Sequence, residues 1–298
     1  VQEFALDPGT ILVAHDAVRP AEALHAAPAA PADGTAGDRP VAVTYTGSLY
    51  PGKGADLLLA LAARCRWAHF TIAGGPPGHA DGLRGRAVAD GLDNVTVTGP
   101  LSPDDARAAQ AASDVLIAPF ASRVESDSGV DIARWTSPLK VFEYMASGRP
   151  MVVGDLPVLR EVLRPGVDAL MPALDDVDAF CAALVRLRDE PALRERLAHS
   201  ARERVLAHHT WEQRARAILA RFERTRRVGS VTIVLASLAA GGAERVAVNL
   251  AAGLAAAGRR VRLLVVDGSG PLRTSLPADV ILEDLGRLRV RQGLPGIL

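Results

Sequence analysis

The stretch Gly47-Ser48-Leu49-Tyr50-Pro51-Gly52-Lys53-Gly54 sets three glycines and one lysine between an apolar segment and a helical pattern. Glycines let a backbone turn tightly and approach a ligand, and the free N–H groups that open a helix attract an anion. Lys53 brings a positive charge to the same mouth. The G-x-x-x-x-G-K-[ST] spacing of a P-loop is absent. Two readings therefore stand together: a phosphate cradle, or a plain glycine turn with a solvated lysine. A second stretch runs Thr136-Ser137-Pro138-Leu139-Lys140-Val141-Phe142-Glu143-Tyr144-Met145-Ala146-Ser147-Gly148-Arg149-Pro150. Pro138 suits the first turn of a helix, and Thr136 or Ser137 can cap it. Leu139, Phe142 and Met145 follow helical spacing and read as core. Lys140 and Glu143, three apart, share another face. They form either a surface ion pair or a site where Glu143 accepts hydrogen bonds from vicinal hydroxyls, as carboxylates do for a ribose. A third turn, Gly241-Gly242 before Ala243-Glu244-Arg245, could also hold an anion, although a lone Gly-Gly is a weak signal.

The elements around these residues alternate. Strands are expected at 41–46, 70–73, 94–98, 115–119 and 151–153, and helices at 55–65, 83–91, 103–112 and 138–147. Strand–helix alternation with short connections is the pattern of a parallel sheet covered on both faces. Residues 21–40, rich in Ala, Pro, Gly and Asp, read as a linker or exposed loop. Helical periodicity then fills 176–188, 191–207 and 211–226 with almost no strand between, a helical tail. A new β-α-β unit follows: strand 231–236, helix 243–257, strand 261–266 and a third strand near 280–282. One such unit cannot bury both faces of its own sheet, so the last 70 or so residues are expected to form an incomplete domain.

Residues 41–224 resemble the C-terminal domain of retaining GT-B glycosyltransferases of the large group-1 family, family 4. In that family a G-[R/S]-L-x-x-x-K-G loop follows the first strand, which carries over onto Gly47, Leu49, Lys53 and Gly54. The resemblance implies that Lys53 contacts a donor diphosphate. Many members have arginine where this chain has Ser48, which leaves more of the task to Lys53 and backbone amides. The family's E-x7-E element has its second glutamate on the donor ribose, matching Glu143; its first, which contacts the transferred sugar, falls at Trp135. The Ser-Pro-Leu-Lys variant present here implies that the amides of Leu139 and Lys140 line the diphosphate, with Ser137 and Pro138 beside it, Pro138 having no N–H to give. The segment 94–99, ending at Gly99, resembles the strand whose end lies beside the base. Segment 112–119, segment 156–161 with Gly166, and the pair Thr210-Trp211 resemble the donor-loop strand, the next turn and the opening of the final helix.

The turn at Gly241-Gly242 resembles the opening of the same family's N-terminal domain, and residues 1–18 resemble the segment between domains. The expected organisation is therefore an interdomain segment and linker at 1–40, a donor-binding domain at 41–226, and a partial N-terminal domain of a second transferase at 228–298. The expected fold is a GT-B type, Rossmann-like, doubly wound α/β sheet with a helical tail and a partial second unit. The reverse domain order fits a piece of a tandem protein better than a truncated permutation, since neither Val1 nor Leu298 reads as a natural end. The resemblance implies transfer of a hexosyl group from a UDP- or GDP-sugar to a glycan or lipid-linked acceptor, with retention and without an obligatory metal. Lys53 and Glu143 are the residues expected at the chemistry. Because of Trp135 and Ser48, a nucleotide-binding module without catalysis is the alternative, ahead of an epimerase or phosphorylase of similar build.

Bulk properties agree with a globular chain, at 49% hydrophobic and 23% charged residues, ordinary values for that class. The formal net charge of zero supplies no field to draw the chain to nucleic acid. The most apolar runs, 231–240 and 261–266, are too short to span a bilayer as a helix. A cytoplasmic place is expected, with peripheral contact to the inner membrane face through segments not in this chain. The seven histidines have no metal-ligand spacing, and no cofactor is expected. Cys65 and Cys181, both in segments read as helices, are expected as buried free thiols.

Overall fold

A computed structural model of the chain describes residues 14–20, 39–49, 54–123, 133, 139–223 and 230–286. They fall into two units: one from Val18 to Ala207, the other joining the segment before Val18 to the chain from His208 onward.

The first unit is built on five parallel strands: β1 Val41–Thr46, β2 Ala68–Ala73, β3 Val95–Gly99, β4 Val115–Ala118 and β5 Met151–Val153. Their order is β3-β2-β1-β4-β5. The chain winds outward from β1 to β3, then returns to the other side of β1 for β4 and β5, which makes the sheet doubly wound. Helices α1 Ala55–Arg64, α2 Pro77–Ala89, α3 Pro103–Ala111 and α4 Leu139–Ala146 make the crossovers, and α5 Val177–Asp189 and α6 Pro191–His208 follow. Both faces are covered. Along β4, Val115 and Ile117 enter one apolar layer with Val43, Phe70, Ile72, Leu58 and Leu61. Leu116 and Ala118 enter the other, with Val141, Phe142, Met145 and Leu163. A strand buried on both sides must be apolar throughout, which is why Val-Leu-Ile-Ala shows no polar alternation.

Local signals set the ends. Ser102 caps α3 through the Asp105 amide and Asp176 caps α5 through the Ala179 amide. The helix expected at 83–91 starts earlier, at Pro77, where proline's missing N–H costs nothing. The strand expected from 94 starts at Val95. Asn94 is buried, and its Nδ2 donates to Ala62 O and Ala68 O, both at 3.0 Å, fastening the end of α1 to the start of β2.

Cys181 lies on α5, but Cys65 is the residue that ends α1, donating its amide to Leu61 O. Both are free thiols, with Sγ atoms 2.9 Å apart. Burial, then the contact with Cys181, pushes the Cys65 thiol up to about 12. An ordinary cysteine ionises near 8.5, and only the thiolate is nucleophilic. At pH 8 the folded chain should therefore alkylate Cys65 with iodoacetamide about three orders of magnitude more slowly than the denatured chain. Peptide mass spectrometry reads this directly, and comparable rates in the two states would contradict it.

The second unit holds helix α7 Trp211–Glu223, then β6 Ser230–Ser237, α8 Gly242–Ala256, β7 Arg260–Asp267 and β8 Val280–Asp284, the strands parallel in the order β6-β7-β8. The boundary at 207/208 differs from one at 226, because α7 packs with this unit. Ala215 and Leu219 of α7 are buried with Leu238, Val248, Ala251 and Leu254. The two helices approach closely at Gly253, where a Cβ would stand 3.1 Å from Trp211 O. A reciprocal capping box opens α7: Thr210 Oγ1 accepts from the Gln213 amide and Gln213 Oε1 from the Thr210 amide. Asp16 pairs with Arg214 at 2.7 Å in the same unit. No residue of β6 is buried, and Val234 and Ile281 are half exposed or more, so this sheet is covered incompletely. Among the described residues no helix is long and apolar enough to cross a membrane.

Candidate functional site

In doubly wound sheets a ligand crevice opens at the carboxyl ends of the strands where the winding direction reverses, here between β1 and β4. The ladder between them covers only Val43↔Val115 and Thr44↔Leu116, although β4 continues to Ala118. The Thr46 amide, past the last β4 partner, donates to the Tyr144 hydroxyl at 2.7 Å. Gln110 Nε2 donates to Thr46 Oγ1 at 2.9 Å. Side chains from α4 and α3 thus satisfy a strand end that its neighbouring strand has left.

Gly47 follows β1 at φ +139°, and a Cβ there would meet Lys140 Nζ at 2.5 Å. The ammonium of α4 therefore lies directly over the glycine turn. Lys140 Nζ donates to the Tyr45 hydroxyl at 2.7 Å and stands 3.9 Å from the centre of that ring. The Tyr45 hydroxyl donates in turn to Ser48 O at 2.5 Å. Tyr45 is buried, and burial followed by the neighbouring Tyr144 pushes its phenol well above the usual range; it stays neutral beside the lysine. Gly54, at φ +89°, ends the loop and opens α1, and a Cβ there would stand 1.7 Å from Pro119 O. No other residue fits between the loop and the end of β4.

The structure brings Gly47, Ser48 and Lys140 of the expected site together at this switch point, and Leu139 and Glu143 lie on the same helix as Lys140. Leu139, Lys140 and Glu143 are half-buried on α4, where a spacing of three residues puts Glu143 about one turn beyond Lys140. Gly99 ends β3 two strands away and is linked along the same edge: Gly74 N donates to Gly99 O at 2.7 Å, and Gly47 N to Ala73 O at 2.9 Å. Lys53, Trp135, Ser137 and Pro138 lie outside the described residues. Gly241 and Gly242 sit in the other unit. There a Cβ on Gly241 would meet Glu244 Oε2 at 2.1 Å, so the start of α8 faces a resident carboxylate, which disfavours a second anion. Tyr45, Thr46, Gln110 and Tyr144 are the site's polar frame that motif spacing does not reveal. The available signal is the run Thr44-Tyr45-Thr46 at the end of an otherwise apolar strand, just before the glycine turn.

Similarity to known proteins covers the same region. The glycosyl transferase-like family matches residues 54–220. An alpha-D-kanosaminyltransferase from Streptomyces kanamyceticus is 31% identical over 169 residues, 55% of this chain and 40% of that protein; the chain thus spans well under half of this relative. A glycosyltransferase from Rickettsia africae superposes with a TM-score of 0.60 at 12% identity, over 74% of this chain and 59% of that one. The Anabaena HepE protein in complex with UDP and glucose superposes with a TM-score of 0.52 at 16% identity, over 63% and 49%. The fold is thus the Rossmann-like one of GT-B glycosyltransferases.

Proposed function

Because the chain belongs to the glycosyl transferase-like family, we propose that its first unit is the donor-binding half of a retaining, family-4 enzyme. The reaction is transfer of a hexosyl group from a UDP- or GDP-sugar to a glycan or lipid-linked acceptor at the inner membrane face. The observation that carries this reading is the switch point between β1 and β4, where the Lys140 ammonium lies over Gly47 and Glu143 follows on the same helix. In this reading the diphosphate rests on the glycine turn and the start of α4. Lys53, Lys140 and the amides of Leu139 and Lys140 face it, with Ser137 and Pro138 at its rim and Gly99 toward the base. Glu143 holds the ribose hydroxyls. As the bond from sugar to diphosphate breaks, charge gathers on the leaving group, and fixed positive groups there stabilise the transition state. Residues 228–298 are, in the same proposal, part of an N-terminal domain.

Thermal shift against UDP, GDP and ADP, beside Lys53→Ala and Glu143→Ala, tests the donor site. Ligand at about 100 times its dissociation constant adds roughly 2.7 kcal/mol to the folded state. The expected result is a shift with one nucleotide that both substitutions remove. A folded chain that answers to none of the three refutes the reading. A nucleotide-binding module without catalysis is the second reading, favoured by Trp135 at the position of the sugar-contacting carboxylate. It would show the same shift, but no sugar transfer by the chain together with the rest of its protein.

A further inference from the structure

The donor reading leaves a gap at Ser48, where many of the enzymes it resembles carry arginine, and the structure sets another cation over that turn. Lys140 comes from α4, yet its Nζ would stand 2.5 Å from a Cβ on Gly47. A free lysine side chain samples many rotamers. This one is held from two directions. Its ammonium donates to the Tyr45 hydroxyl at 2.7 Å, and it lies 3.9 Å from the Tyr45 ring centre and 5.9 Å from that of Phe120. The hydroxyl is itself fixed, because its own proton goes to Ser48 O. Tyr45 thereby ties the helix that carries the cation to the turn that would carry the phosphates.

Resting on the donor site proposed above, we infer that Tyr45 is a positioning residue that holds Lys140 over the glycine turn as the second cation of the diphosphate subsite, in place of the arginine that Ser48 lacks. A hydroxyl suits this task better than a carboxylate. A phenol orients an ammonium without bringing an opposing charge of its own, and it offers its ring face as a further attraction for a cation. Tyr45 need not touch the ligand.

The test uses the whole chain. UDP, GDP and ADP are titrated calorimetrically, each beside its own nucleoside, in the native chain, Tyr45→Phe, Lys140→Met and the double variant. Tyr45→Phe keeps the buried ring, and its affinity for the nucleoside serves as the check that it folds. The diphosphate that binds is expected to weaken about tenfold in Tyr45→Phe and about thirtyfold in Lys140→Met. The nucleoside should be unchanged in both, and the double variant no weaker than Lys140→Met alone. Coupling of this kind is what a merely structural tyrosine lacks. Tyr45→Phe binding the diphosphate as the native chain does, weakening the nucleoside equally, or adding its full effect to Lys140→Met would each overturn the inference and leave the donor site standing. A native chain that binds none of the three diphosphates sinks both.

Discussion

Asp168→Ala is expected to lower the stability of the first unit by about 3 kcal/mol, enough to unfold a marginal chain. The Asp168 side chain has no solvent exposure and is enclosed by donors. Arg164 Nε and its second guanidinium nitrogen reach it at 2.9 and 2.8 Å, the Arg164 amide at 2.9 Å, and Ser200 Oγ at 2.7 Å, while Arg204 stands 3.8 Å away. The carboxylate thus ties the turn after β5 to α6. Arg164 is half exposed, so its charge finds water when the partner goes. The loss comes mainly from the buried bonds to the amide and the serine, at about 1.5–3 kcal/mol each for bonds to a charged group, less what relaxation recovers. Burial alone would push the Asp168 carboxyl up; the hydrogen bonds from Arg164, Ser200 and the Arg164 amide, with the Arg164 charge, hold it below its usual value. A lowered folded value contributes stability that is full above the unfolded carboxyl range, near pH 4, and lost as pH falls through the folded one. Urea melts of native chain, Asp168→Ala and Asp168→Asn at pH 7 and pH 3 should show a gap that narrows in acid. Equal stability of all three at pH 7 would refute the assignment.

Sequence periodicity gave β1 and β5 to the residue and the other strands of the doubly wound sheet to within two, because burial on both faces leaves Val, Ile and Ala in runs with little alternation. The order of those strands is a matter of which crossovers return to β1, and no local signal encodes it. Helix α7 illustrates the same limit. Its apolar face is visible at Trp211, Ala215 and Leu219, but the spacing names a face and not the partner that buries it, which proved to be α8. At the switch point, Gly47 and Lys140, which the fold brings together, could each be singled out from chemistry and spacing. Tyr45 could not. On sequence it is one more residue of a buried strand, and only the third dimension brings the Lys140 ammonium, from a helix 95 positions later, onto its hydroxyl. Asp168 was likewise silent, since its partners lie four residues back and on α6.

Glu143→Ala is expected to weaken donor nucleotide about 100-fold. The side chain is half-buried on α4 and belongs to neither apolar layer, and alanine is the best helix former. The helix itself is anchored by Val141, Phe142, Tyr144 and Met145, none of which changes. Under the proposed role the carboxylate accepts from two vicinal ribose hydroxyls. Bonds to a charged acceptor contribute about 1.5–3 kcal/mol each, and two that act as one unit are worth about 3 kcal/mol together, a factor of roughly 100 in affinity. The ligand itself supplies the control. A 2′,3′-dideoxynucleoside diphosphate has no hydroxyls to give, so the native chain and Glu143→Ala should bind it with equal affinity, each about as weakly as Glu143→Ala binds the ribonucleotide. Glu143→Gln, which keeps an acceptor without the charge, should fall between. If Glu143→Ala loses the dideoxy ligand as severely as the ribonucleotide, the carboxylate acts on the glycine turn or on Lys140, three residues before it, and the ion-pair reading of that helical face is the correct one.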